Sequence, residues 1–178
     1  MQTDEDSVDI SIKLVICGEA GVGKTNLLSR YVFNTFDINS KSTIGVEFYS
    51  KQVSWRGKRI SVQLFDTVGQ EKFRSVCSNY FRNADGVVLV YDVTHFDTFT
   101  KLTAWRTLIG QTAKQDIPIL LVGNKTDLKE QRRVTVDEGQ KTAQKYSYLF
   151  METSALSNEN DCVHKAFELV IDELCKSK

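Results

Sequence analysis

The 178-residue chain predicts an α/β fold: a mostly parallel six-stranded sheet with one antiparallel strand and helices on both faces. Three observations predict it. Short runs rich in β-branched and aromatic residues alternate with segments of helical periodicity, which calls for crossovers between parallel strands. Arg56-Gly57 lies between two strand-like runs and has the composition of a hairpin turn, which makes one pair antiparallel. The last segment repeats Val163, Ala166, Phe167, Val170, Ile171 and Leu174 at helical spacing, an apolar face that must dock on a sheet.

In chain order, residues 1–9 read as a flexible segment. Its acidic, polar start, Met1–Asp6, is the opposite of a secretory leader. Residues 10–176 read as one domain. Ile10–Cys17, Gly45–Trp55, Lys58–Asp66, Gly86–Tyr91, Ile117–Val122 and Tyr148–Met151 are the expected strands. Gly23–Phe33, Lys72–Asn83, Phe96–Lys114, Val136–Tyr146 and Glu159–Lys176 are the expected helices. Asn34–Thr43 is polar and helix-poor, a segment that a ligand can order in one state and release in another. Ser177-Lys178 ends the chain, compatible with a tail cut away.

Composition excludes several functions. Lys plus Arg and Asp plus Glu each total 23, so no basic surplus favours nucleic acid or an acidic membrane. Apolar runs stop at about seven residues, far short of a bilayer span. Cys17, Cys77, Cys162 and Cys175 have neither C-x-x-C spacing nor metal-like clustering, and read as free thiols of a cytoplasmic protein.

The chemistry begins at Gly18–Thr25, which fits the phosphate-binding pattern G-x-x-x-x-G-K-[S/T] between an apolar strand and a helix. Glycines let the backbone approach a triphosphate with its N–H groups inward, and the helix start adds positive potential. Ala20, Gly21, Val22, Gly23, Lys24 and Thr25, with Asn26 after them, are the phosphate-side candidates. Lys24 bridges the terminal phosphates and Thr25 ligates magnesium.

Two more motifs follow strands. Asp66-Thr67-Val68-Gly69-Gln70 places a carboxylate at a strand's C-terminal end, where open α/β sheets bind ligands. Alone it also reads as a strand-to-helix turn capped by Asp66 or Thr67. Beside a phosphate loop, Asp66 reaches magnesium directly or through water, Gly69 N–H meets the γ-phosphate, and Gln70 orients water. Asn124-Lys125-Thr126-Asp127 follows the next strand. The Asp127 carboxylate accepts from guanine N1–H and its 2-amino group, whereas adenine offers an acceptor at N1 and no 2-amino group. Ser154, Ala155 and Leu156 add backbone N–H groups near the base.

Together these residues resemble the Ras superfamily of small GTPases, P-loop NTPases with a small G domain, over essentially the whole chain. The similarity is greatest to its Rab branch. Thr43-Ile44-Gly45-Val46-Glu47-Phe48 looks like the Rab switch I, Gln70-Glu71-Lys72-Phe73-Arg74-Ser75 like switch II, and Leu89-Val90-Tyr91-Asp92-Val93-Thr94 matches a Rab pattern. Ser40–Phe48 leans toward the recycling-endosome Rabs. The resemblance implies a GTP-hydrolysing switch in vesicle traffic that uses Mg2+, an exchange factor, a GTPase-activating protein and effectors. It implies Thr43 as a second magnesium ligand, Phe36 and Lys125 flanking the guanine, and Ile44, Phe48, Phe65 and Tyr80 as an effector surface. Membrane contact would be peripheral, on endomembrane vesicles, through a lipidated tail.

The departures from the family pattern are Val68 for alanine, Ala20 for glycine or serine, and Phe65 for tryptophan. A β-branched Val68 beside the γ-phosphate, and a methyl at Ala20 near Gln70, leave open a slow or inactive GTP-binding scaffold. One G-domain module of a longer protein is also open. Cys175 is fourth from the end, but Lys176 and Ser177 are not aliphatic, so a prenylation box fits poorly. A P-loop kinase lacks support from the Asp66 and Asn124 motifs.

Overall fold

The computed structural model describes residues 7–41 and 43–178; Met1–Asp6 and Ser42, the latter within the switch-like segment, lie outside the described residues. Six strands, β1 (Ile10–Cys17), β2 (Glu47–Trp55), β3 (Lys58–Asp66), β4 (Gly86–Asp92), β5 (Ile119–Asn124) and β6 (Leu149–Glu152), form one sheet. Its order is β2-β3-β1-β4-β5-β6. Only β2 with β3 is antiparallel. Their turn has both Arg56 and Gly57 at positive φ, the hairpin geometry whose twist matches the strands.

Six helices cover the sheet: α1 (Lys24–Phe33), α2 (Arg74–Phe81), α3 (Phe96–Thr100), α4 (Leu102–Thr112), α5 (Val136–Lys145) and α6 (Cys162–Lys176). Alternation along β1 divides the core in two. Ile12, Leu14 and Ile16 meet α1 and α6, including the predicted stripe Val163–Leu174, while Val15 and Cys17 meet α2, α4 and α5. Thr135 and Glu138 close a capping box at the start of α5.

Several boundaries differ from the sequence reading, most by one to three residues, and four of the differences have a visible cause or consequence. β2 starts at Glu47 because Gly45 has φ 87°. β5 starts after Pro118, which has no N–H to donate to a ladder, and runs on to Asn124. The segment Phe96–Lys114 breaks at Lys101 into α3 and α4. A single 3-10 turn, Glu71–Phe73, precedes α2. At the N-terminus Asp9 exchanges two hydrogen bonds with Arg59 of β3, N to carbonyl at 2.9 Å and carboxylate from N–H at 2.7 Å.

The topology decides where ligands go. All five parallel strands end at one edge, at Cys17, Asp66, Asp92, Asn124 and Glu152. The antiparallel β2 begins there too, with Glu47 opposite Asp66, so the chain leading into it, Thr43 included, enters at the same edge. Every sequence motif therefore hangs from one rim, at the carboxyl end of the sheet.

Candidate nucleotide site

A cleft of about 420 Å³ opens at this rim. Ala20, Gly21, Gly23, Lys24, Thr25 and Asn26 form its floor, Phe36 and Thr43 one flank, Gly69 and Gln70 another. Asn124, Lys125, Asp127, Ala155 and Leu156 form the far end. Val22, Asp66 and Ser154 are buried behind the wall. Gly23 has φ 96° and precedes α1, whose first turn has no side-chain cap. A Cβ at Gly23 would stand 2.5 Å from Asn124 Nδ2, so glycine is required there. The uncapped N–H groups are an anion site in waiting.

Lys24 is 6% exposed, and its ammonium donates to Gly18 O at 3.0 Å and Glu19 O at 2.9 Å. Burial pulls its pKa down, against the opposing pull of the Asp66 carboxylate. Thr25 Oγ1 donates to Asp66 Oδ2 at 2.5 Å and lies 2.9 Å from Thr43 Oγ1. The other oxygen, Asp66 Oδ1, is buried without a partner. Burial pushes the Asp66 carboxyl up from 3.8 to about 6, although the Thr25 hydroxyl and Lys24 oppose it.

That shift has a sign. The folded state favours the protonated carboxyl, so its stabilising contribution is complete below about pH 4 and is lost as pH rises through about 6. The loss is about 3 kcal/mol at most. Thermal unfolding of the nucleotide-free protein between pH 4 and 7 should show the decline, and Asp66→Asn should flatten it. An equally steep decline in Asp66→Asn would assign it to another group.

At the far end the loops are bonded to one another. Asn124 Nδ2 donates to Val22 O at 2.9 Å, and Thr153 Oγ1 donates to Asn124 Oδ1 at 3.1 Å. Lys125 Nζ donates to Gly21 O at 2.6 Å and pairs with Asp92 Oδ2 at 2.8 Å. Burial alone would raise Asp92, but the bonds from Lys125 and Thr94 outweigh it and hold the carboxyl below its usual range. Ser154 Oγ donates to Asp127 Oδ1 at 2.7 Å. Arg30 of α1 reaches across to Ala155 O at 2.9 Å and Leu156 O at 3.2 Å. Asn26 holds the backbone of Asp37 through two 3.0 Å bonds.

Sequence reading missed Asp92 and Thr153. Asp92 had the same signal as Asp66, a carboxylate ending a buried strand, whereas Thr153 carried none. Val68 is buried and does not line the cleft, while Ala20 does. Phe48 and Phe65, paired across β2 and β3, stand 5.2 Å apart between ring centroids, and Tyr80 lies 5.6 Å from Phe65. Phe48 is 57% and Ile44 96% exposed.

Fold and cleft together define a phosphate-loop nucleotide-binding domain of the small G-protein class. The Ras family model matches residues 13–176. Ras-related protein RABA5b of Arabidopsis thaliana is 45% identical over 171 residues, covering 96% of this chain and 78% of that protein. Ras-related protein rab-11.1 of Caenorhabditis elegans is 43% identical over 177 residues, covering 99% and 83%. The chain belongs to the Ras family and, within it, to the Rab branch: a GTPase that binds GTP and GDP, hydrolyses GTP and acts in vesicle trafficking through regulators and effectors. Among the described residues no helix is long and apolar enough to cross a membrane.

Proposed function

We propose that this G domain, residues 10–176, is a magnesium-dependent switch in which Gln70 directs a slow hydrolysis of GTP. The observation that carries the reading is the meeting of Thr25, Thr43 and Asp66 oxygens near Lys24, with Asp66 Oδ1 buried and unpartnered. Two hydroxyls and one carboxylate suit a small hard cation that keeps several waters and takes its other ligands from phosphate. A site with one carboxylate relies on the nucleotide phosphates to retain the cation. When bound, magnesium neutralises charge on the β- and γ-phosphate oxygens. Its affinity should rise with pH through about 6, opposite to the stability trend, because ligation needs the Asp66 carboxylate.

Lys24 bridges the terminal phosphates, while the backbone N–H groups from Ala20 to Asn26 hold their oxygens. Asp127 accepts from the guanine edge, Phe36 and Lys125 flank the ring, and the backbone of Ser154, Ala155 and Leu156 closes the pocket. In hydrolysis, water attacks the γ-phosphorus as its bond to the bridging oxygen breaks; Gln70 orients that water and Gly69 N–H supports the γ-phosphate. Thr43 and Gly69 contact the same phosphate, so its loss releases both flanking segments. The apolar surface of Ile44, Phe48, Phe65 and Tyr80 then changes shape, which is how a helical effector reads the state.

No arginine lines the cleft among the described residues, which supports unaided rates on the order of 10⁻⁴ s⁻¹. Gln70→Leu should lower single-turnover hydrolysis by about tenfold to a hundredfold, the scale of a misoriented reactant, while GTP affinity stays within about twofold. An unchanged rate would leave the water without Gln70 as its guide. We further assign a cytoplasmic protein whose contact with vesicles is peripheral and runs through a lipidated tail. Cys175 is not that anchor, because it is buried inside α6.

A further inference from the structure

Glu19 occupies a phosphate-loop position that the G-x-x-x-x-G-K-T pattern leaves unspecified, yet it is only 8% exposed and ringed by donors. Trp105 Nε1 of α4 donates to Glu19 Oε1 at 2.9 Å. The Arg74 guanidinium, at the start of α2, pairs with the same oxygen. Lys101 stands 3.6 Å from Oε2. Arg74 lies with its guanidinium 5.3 Å from the Trp105 ring centroid, 3.8 Å from the Glu71 carboxylate, and with Nε buried and unpartnered. A carboxylate buried this deeply is retained only when paired, and here the pairing ties the phosphate loop to α2 and α4.

The other end of the same segment is tied as well. A Cβ on Gly69 would fall 2.5 Å from Ala20 N and 2.6 Å from Lys24 Nζ, so its backbone rests directly on the phosphate loop. The span from Gly69 to Arg74 is thereby fixed to one loop at both ends, and Gln70 sits within it.

We propose that Glu19 and Arg74 are positioning residues for hydrolysis: their pair, oriented by Trp105, fixes the short span that aims Gln70 at the attacking water. The proposal rests on the assignment of Gln70 above. Neither Glu19 nor Arg74 lines the main cleft, so their loss acts on rate and leaves nucleotide affinity alone. The pair also supplies a built-in reporter. Trp105 touches both partners, whereas the other tryptophan, Trp55, donates to Asp172 of α6 at 2.9 Å.

The test is single-turnover hydrolysis by the GTP-loaded full chain, comparing wild type, Glu19→Gln, Arg74→Gln, the double variant and Gln70→Leu. Each single variant should be slower by about tenfold, the scale of a small misplacement of a catalytic group. The double variant should be no slower than the slower single, since both break one connection. GTP and GDP affinities should stay within about twofold. Glu19→Gln, which still accepts from Trp105 but leaves Arg74 without its carboxylate, should melt somewhat lower yet stay folded at the assay temperature, so that a lost rate is not lost folding. In a Trp55→Phe background, Arg74→Gln and Glu19→Gln should both shift Trp105 emission. Wild-type rates in the Glu19 and Arg74 variants beside a slow Gln70→Leu overturn this proposal alone. So do multiplying effects in the double variant, or a rate loss matched by an equal loss of affinity. A wild-type rate in Gln70→Leu removes the assignment of Gln70 and this proposal with it.

Discussion

Asp127→Asn is expected to weaken GTP binding about 10⁴-fold and to turn the preference toward xanthosine triphosphate. The wild-type carboxylate offers only acceptors, and one oxygen is fixed by the Ser154 hydroxyl at 2.7 Å, which itself accepts from Ser157 N at 3.0 Å. Guanine brings two donors to such a group, N1–H and the 2-amino group. An asparagine keeps one acceptor for Ser154 and turns an amide N–H₂ toward the base. Donor then faces donor, and a site built around a substrate hydrogen bond loses roughly 10⁴ to 10⁵ when that bond is denied. Xanthine carries a carbonyl where guanine has its amino group and restores the match. Competition of GTP, xanthosine triphosphate and ATP against a fluorescent guanine nucleotide measures it. Equal affinity of the wild-type chain for ATP and GTP would take base selection away from Asp127.

Lys24→Met is expected to reduce GTP and GDP affinity on the order of 10³-fold, about 4 kcal/mol, within the range for removing one member of a desolvated charge pair. The fold should not suffer in proportion. The ammonium is buried and drawn down in pKa by that burial, and its direct partners are the neutral carbonyls of Gly18 and Glu19. Without nucleotide the charge is a burden, and methionine fills the same volume without it. The nucleotide-free melting midpoint should therefore hold or rise while binding collapses, the pattern of a residue kept for function against stability. Calorimetric unfolding and nucleotide titration on the same preparation separate the two. A large fall in the nucleotide-free midpoint would make Lys24 a structural residue first.

Much of this was legible in the sequence because the motifs follow strands. Each strand that ends in the crevice announces itself as an apolar run followed by Gly18, Asp66 or Asn124, and parallel pairing then gathers those ends without further information. Asp92 carries the same signal, and its pair with Lys125 ties it to a residue that lines the cleft. The break at Lys101 was not legible. No glycine or proline marks it; Phe99 turns against Tyr91 of β4 at 5.0 Å between centroids and Thr98 Oγ1 accepts from Asp92 N at the end of β4 at 2.9 Å, contacts with the sheet that override propensity. Glu19 was invisible for another reason. The phosphate-loop pattern constrains backbone and leaves that side chain free, so its burial depends on Trp105, 86 positions away.

The hydrogen bonds from Asn124 to Val22 and from Lys125 to Gly21 join the loop after β5 to the glycine-rich loop before α1. Two loops bonded in this way open as one local unfolding unit. On the proposed assignment of these loops, nucleotide escape should be a single cooperative event, and a factor that speeds it should be able to push on either loop.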